Sequence, residues 1–531
     1  MRAICLASIG LVLAACSSDN TADTPTSART SLGVANGVMT DEGVVEFLGL
    51  RFAEPPVGEL RFRPPVPIAR WDSPVDASEF GPACVQPDDL EQSEDCLTLN
   101  VWTPAADDQK RPVMVWVHGG GWVYETTRYA LYRGAHLAAR GDVVVVSMEY
   151  RLGAFGFSHF EDIPGSGNAG ILDQKLALEW VQEHIEAFGG DPDNVTIFGE
   201  SAGGMSVTAL MGMPGTEGLF HKVIAQSGAG STAREPVYAS AVADQFLEAA
   251  GVSGPEELVE LTTDQLSDAQ NELLSTAFVT DLMFGPVVDG DIFPEPPIQA
   301  IADGAAAEIP LLTGTTRDET RAWIRFVDVL ANVEFEAVTA LVPTVGRAIP
   351  DGRTEQDVVD RYQAGRPGAE PGVISHAAGT DVFFRMPAIR LVEAHLPHQP
   401  NNTFLYRFDW PPPVPESPYD LGAMHASELG FMLGGGSESW PQTYGSDPLP
   451  GELVGQMMDA WLSFAETGNP NHPDLPEWPA YELDARATML FDAVGDDAIS
   501  AVDNDPDGSE RQFWDTVPFD GTRPTAKPED L

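Results

Sequence analysis

Ser201 stands between two glycines in Gly199-Glu200-Ser201-Ala202-Gly203. A serine hydroxyl is a weak nucleophile unless a base takes its proton and donors receive the charge that its attack creates. The pattern Gly-x-Ser-x-Gly arises by chance in glycine-rich chains, so its surroundings decide. Here the β-branched run Val195-Thr196-Ile197-Phe198 leads in, and Ala202–Met211 reads as a helix leading out. Strand, tight turn and helix would expose the Ser201 hydroxyl above a sheet and offer the Ala202 N–H to an oxyanion. A second cluster, His118-Gly119-Gly120-Gly121-Trp122, directly follows an apolar run at 113–117. Its three glycines let the backbone approach a substrate and aim N–H groups inward, as further oxyanion donors. The alternative, a phosphate-binding turn, lacks the lysine that a P-loop requires.

These loops need a frame. The runs at 113–117, 143–146 and 195–198 are uninterrupted and rich in valine, as strands buried on both faces of a largely parallel sheet must be. Between the last two, Leu178, Val181, Ile185 and Phe188 recur at helical spacing, predicting a helix over 173–188 that ends at Gly189-Gly190. Strand, helix and strand at this spacing make a βαβ unit, and the fold class is α/β. The stretch from about 230 to 420 is less regular and reads as helical insertions beside the sheet. The acidic, Pro- and Gly-rich end from about Asp503 reads as peripheral.

The 531 residues carry 81 acidic and 29 basic side chains, a formal charge of −52. Such a chain offers no clustered cations to nucleic acid, which is excluded as a partner. With 43% hydrophobic and 9% aromatic residues it is not a disordered polyelectrolyte. Met1-Arg2 precedes an apolar stretch at 3–15, too short for a spanning helix and suited to a signal peptide over 1–15. Its end, Leu13-Ala14-Ala15-Cys16, resembles a bacterial lipobox, which implies lipidation of Cys16 and export to the cell envelope; Ser17 resembles outer-membrane sorting. Simple cleavage and secretion is the alternative. Residues 16–31 read as a polar tether, 32–520 as the folded domain and 521–531 as a tail. Once Cys5 leaves with the signal and Cys16 is lipidated, Cys84 and Cys96 remain for a disulfide in an oxidising compartment. No histidine or second cysteine pair lies near them, so no metal site is expected.

Many ordered segments resemble the type-B carboxylesterase family, the cholinesterase-like branch of the α/β-hydrolases. They include Glu94-Asp95-Cys96-Leu97-Thr98-Leu99-Asn100-Val101, the His118–Trp122 loop, Tyr150-Arg151-Leu152-Gly153, Phe188-Gly189-Gly190-Asp191-Pro192, the Ser201 motif, Gln226-Ser227-Gly228 and Thr467-Gly468-Asn469-Pro470-Asn471. The resemblance spans roughly residues 32–500 and implies the α/β-hydrolase fold. It implies Glu319, in Gly314-Thr315-Thr316-Arg317-Asp318-Glu319, as the acid and His425, in Gly422-Ala423-Met424-His425, as the base. Asp318 is the nearest alternative acid, and His376, His395, His398 and His472 are alternative bases. The implied oxyanion hole is Gly120, Gly121 and Ala202. Arg61 with Glu94, and Arg151 with Asp173, are implied ion pairs; Glu200 and Ser227 are candidates to tune or support the site.

The implied reaction is hydrolysis of neutral carboxylic esters through an acyl-enzyme, with no metal or organic cofactor. An amidase, lactonase or acyltransferase would use the same residues. A non-catalytic binding protein of this family would be expected to lose the nucleophile, which is retained here. Two departures stand out. The loop from Cys84 to Cys96 has no aromatic residue to hold a quaternary ammonium, which argues against choline esters. Glu149 precedes Tyr150 where the family more often carries Asn.

Overall fold

The computed structural model describes residues 26–522 apart from 89, 231, 277–281, most of 326–351, 495–496 and 518–520. The signal segment 1–15, Cys16, the tether up to 25 and the tail from 523 lie outside the described residues. Among those described, eleven strands form one sheet. In spatial order they are Asp497–Asn504, Ala487–Val494, Thr403–Phe408, Leu311–Thr316, Lys222–Gln226, Gly190–Glu200, Arg111–Val117, Val144–Met148, Thr98–Thr103, Val45–Arg51 and Val38–Met39. The seven strands from Ala487–Val494 to Val144–Met148 run parallel, and antiparallel neighbours flank them.

Successive side chains of the central strands feed two separate cores, as the two-residue period of a strand requires. Val113, Val115, Val117, Val195 and Ile197 pack on one face; Met114, Trp116, Val145 and Phe198 pack on the other. Helices Ala169–His184 and Ala202–Met211 cover the first face, Ala135–Gly141 and Gly451–Thr467 the second. Both faces are therefore dry, which is why the strand sequences are continuous apolar runs.

Three expectations need correction. The stretch from 230 to 420 supplies two central strands, Leu311–Thr316 and Thr403–Phe408, as well as helices. Within the segment read as tether, Ser27–Arg29 already pairs with Val34–Asn36 in a small separate sheet. The acidic end is not peripheral: helix Gly508–Trp514 buries Glu510, Arg511, Phe513 and Trp514. The expected helix over 173–188 is an α-helix, Ala169–His184, continued by one tighter turn, Ile185–Phe188. Cys84 and Cys96 form a disulfide. No described helix is long and apolar enough to cross a membrane.

The loops that leave the C-terminal ends of the parallel strands carry His118, Glu149, Ser201, Glu319 and His425. In open α/β sheets ligands bind at this edge.

Candidate active site

Ser201 links strand Gly190–Glu200 to helix Ala202–Met211 at φ 56° and ψ −123°, a conformation that non-glycine residues hold only under tight packing. That packing is visible on every side. The Ser201 N–H donates to the Gln226 carbonyl at 2.9 Å. A Cβ on Gly203 would lie 2.0 Å from the Val117 carbonyl oxygen, and one on Gly228 would lie 2.0 Å from that of Ser201. Only glycine lets these chains approach so closely. The first N–H groups of the helix, Ala202 among them, have no intrahelical acceptor, so its N-terminus can receive negative charge.

The glycine loop runs against the serine: a Cβ on Gly119 would lie 3.2 Å from Cβ of Ser201. Gly120 and Gly121 adopt φ of 81° and 64°. The Tyr150 hydroxyl donates to the carbonyls of His118 (2.8 Å) and Gly119 (3.3 Å), which ties down the first two peptide groups of the loop.

Glu319 opens the turn after strand Leu311–Thr316 and is fully buried. One carboxylate oxygen accepts the Thr316 N–H at 2.8 Å; the other receives Nδ1 of His425 at 2.5 Å. The His425 N–H also donates to the Glu319 carbonyl at 3.2 Å. Nε2 of His425 faces away from Glu319 and lies 3.1 Å from a carboxyl oxygen of Glu200, the residue before Ser201. Phe384 and Trp323 wall the imidazole, with ring centroids 4.8 and 6.0 Å away. Phe384 comes from a wide π-type turn, Asp381–Arg385, set between helices Pro371–Thr380 and Met386–His395. Such turns often occur where a side chain must be re-aimed at a functional site.

The electrostatics are dominated by buried acids. Burial alone would lower His425, but the carboxylates of Glu200 and Glu319 reverse this and push it up to about 10. Burial pushes Glu200 well above the usual carboxylate range, and pushes Glu428 up to about 7 with help from Glu319. Glu125 is raised by burial too, though the Tyr132 hydroxyl donates to it at 2.7 Å. A proton on Glu200 removes the field that favours one on His425, so the cluster titrates as a unit.

The structure brings Ser201, His425, Glu319, Gly120, Gly121 and Ala202 to one edge of the sheet. Asp318 instead turns to Arg317 and Arg321 and accepts the Ala423 N–H. His376, His395, His398 and His472 sit against Thr320, Ile309, Ala302 and Gln456 respectively. The ion pairs form as expected, Arg61 bidentate on Glu94 at 2.7 Å and Arg151 on Asp173 at 2.7–2.8 Å. Ser227 is a correction: its buried hydroxyl has no hydrogen-bond partner among the described residues and does not support Glu319. Sequence reasoning missed Glu125, Glu428, Trp323 and Phe384. Only the position of Glu428, three residues after His425, gave a hint.

The strand order and the serine at the strand–helix turn define the α/β-hydrolase fold. The profile of the Carboxylesterase family matches residues 24–514, and the chain belongs to that family; its relatives are named as esterases and carboxylesterases, and it is a carboxylic ester hydrolase. The para-nitrobenzyl esterase of Bacillus subtilis is 39% identical over 509 residues, covering 91% of this chain and 97% of the relative. The phenmedipham hydrolase of Pseudarthrobacter oxydans is 32% identical, covering 90% of this chain and 96% of the relative. Among solved structures, the carboxylesterase of Geobacillus stearothermophilus superposes with a TM-score of 0.82 at 37% identity, covering 92% of this chain and all of that one.

Proposed function

We propose that the protein is a serine carboxylesterase that hydrolyses neutral esters through an acyl-enzyme on Ser201. The observation that carries this reading is the convergence of a strained serine, a glutamate-bound histidine and a glycine loop at the sheet's C-terminal edge. Ser201 Oγ attacks the ester carbonyl while His425 Nε2 takes its proton. Glu319 accepts the Nδ1–H, fixes the tautomer and stabilises the imidazolium. The N–H groups of Gly120, Gly121 and Ala202 hold the oxyanion; one such donor is typically worth about 10²–10³ in rate. The intermediate collapses, the alcohol leaves with the proton from His425, and a water activated by the same nitrogen releases the acid.

A net charge of −52 and the buried acids around His425 disfavour anionic esters. The bacterial relatives named for a para-nitrobenzyl ester and for phenmedipham fit uncharged substrates. Ser201→Ala should abolish turnover of p-nitrophenyl esters and labelling by a fluorophosphonate, with an unchanged circular dichroism spectrum. Retained turnover would refute the assignment.

We further infer export and a lipid anchor at Cys16, supported by the lipobox-like segment and by a disulfide suited to an oxidising compartment. Cys16→Ser should move the protein from the membrane pellet to the soluble fraction; a wild-type protein already soluble would sink the anchor.

A further inference from the structure

Glu149 follows strand Val144–Met148 and is buried beside the glycine loop. One of its oxygens, Oε1, accepts three hydrogen bonds: from the Thr126 hydroxyl (2.6 Å), the Thr127 N–H (2.8 Å) and the Thr127 hydroxyl (2.7 Å). Its other oxygen, Oε2, has no hydrogen-bond partner and faces Nε2 of His118 at 3.8 Å. That nitrogen is equally buried and equally without a partner. The separation exceeds a hydrogen-bond length, and a small approach of the two groups would pair them.

The tautomer follows from the opposite side of the ring. Nδ1 of His118 lies 3.3 Å from the Gly119 carbonyl, which only accepts, so Nδ1 carries the hydrogen. Nε2 then presents a lone pair. A lone pair facing a carboxylate would be repulsive, so one proton belongs between Oε2 and Nε2. Three donors on Oε1 leave Oε2 as the hydroxyl oxygen. Burial acts the same way, raising Glu149 and lowering His118 to about 3, which disfavours the charged form of each. Arg128 acts on Glu149, Glu125 acts on the Tyr150 that stacks on His118, and Glu200 lies against Gly119.

The contacts of this one carboxyl group lie at both ends of a single loop. His118 opens the segment 118–127 and Thr126-Thr127 close it; Gly120 and Gly121 lie between. The interior is packed against the same frame: Tyr150 stacks on His118 at 4.4 Å and holds its carbonyl, and Glu125 Cγ lies 2.9 Å from where a Cβ on Gly120 would stand.

We propose that Glu149 is a positioning residue for ester hydrolysis: its carboxyl group clasps His118 to Thr126-Thr127 and so sets the aim of the Gly120 and Gly121 N–H groups. This rests on the oxyanion reading above. The test compares Glu149→Ala, Glu149→Gln and His118→Phe in the full-length protein. Readouts are kcat and KM for p-nitrophenyl acetate, inhibition by a trifluoromethyl ketone and by its methyl ketone counterpart, and the melting temperature. The trifluoromethyl ketone forms an oxyanion on the serine; the methyl ketone serves as the ground-state control.

Glu149→Ala should lower kcat and weaken the trifluoromethyl ketone by one shared factor of about 10–10², with KM changed less than about threefold. Glu149→Gln supplies an acceptor to the threonines and an N–H to Nε2, so both quantities should return to within about threefold of wild type. His118→Phe keeps the stacking on Tyr150 and breaks the clasp from the other side. It should match Glu149→Ala, and it decides the matter if that variant does not fold. Wild-type affinity for the trifluoromethyl ketone in either truncated variant overturns the proposal, as does a Glu149→Gln protein as defective as Glu149→Ala. A wild-type enzyme that binds both ketones equally instead refutes the oxyanion reading itself, and the proposal with it.

Discussion

The serine side of the site and the histidine side meet at Glu200, the neighbour of Ser201, but are built from different materials. The serine side is main chain: glycines at 119–121, 199, 203 and 228 bring three stretches of backbone to near contact. The histidine side is side chain: Glu319, Glu200 and Glu428 act on one imidazole, and the rings of Phe384 and Trp323 wall it. The first is intolerant of added volume and the second of altered charge. Shape and field are thus tuned separately, and a substitution should damage one without the other.

The most severe test alters charge alone. Glu319→Gln preserves volume but removes the charge and leaves one acceptor oxygen for two donors, the Thr316 N–H and the His425 Nδ1–H, and should lower kcat about 10³–10⁴-fold, with the melting temperature held. A fall in melting temperature that tracks the lost activity would make Glu319 a scaffold residue and dissolve the division. Next comes shape alone. In Gly203→Ala the new methyl meets the Val117 carbonyl, shifting the helix that bears the Ala202 N–H. The expected loss is about 10²–10³ in kcat, with a lowered melting temperature and an unshifted pH profile. Full turnover would show that the elbow has slack.

Glu200→Gln should have the mildest effect and sharpens the comparison through pH. The base must be neutral to act, so activity is lost as pH falls through the raised pKa of His425. Removing the Glu200 charge takes away the larger of the two carboxylate contributions to that rise, so the acid limb of kcat/KM should move to lower pH. The plateau should stay within about tenfold. A limb that does not move would mean that Glu200 is already uncharged when His425 titrates.

The same contrast explains what was legible in the sequence. Where chains nearly touch, one residue type fits, so the glycine clusters at 119–121 and around Ser201 announce themselves. Electrostatic partners obey no such rule. Glu319 and His425 are 106 residues apart, and family resemblance, not spacing, selected them. The same limit let Ser227 be misassigned and left Glu149 without a role, since its partners Thr126 and Thr127 sit over 20 residues upstream. The frame was clear where strands are valine runs. It was hidden at Leu311–Thr316, where threonine and glycine break the apolar pattern, and at Thr403–Phe408, where Arg407 does. The disulfide was accessible because cysteines are few.

Helix Gly508–Trp514 has a consequence beyond its own packing. Glu510 is bidentate on Arg366 and near Arg385; Arg385 clamps Asp381 and the Pro506 carbonyl; Arg511 holds Asp505 and Asp515. Asp381 and Arg385 are the two ends of the π-type turn that lays Phe384 on the imidazole. In a chain with 29 basic side chains, three guanidiniums are thus committed to fastening this helix beneath the turn. The arrangement works as a keystone: a protease nick near Pro506 would slacken the histidine side from behind, silencing the enzyme while its serine and its glycine loop remained untouched.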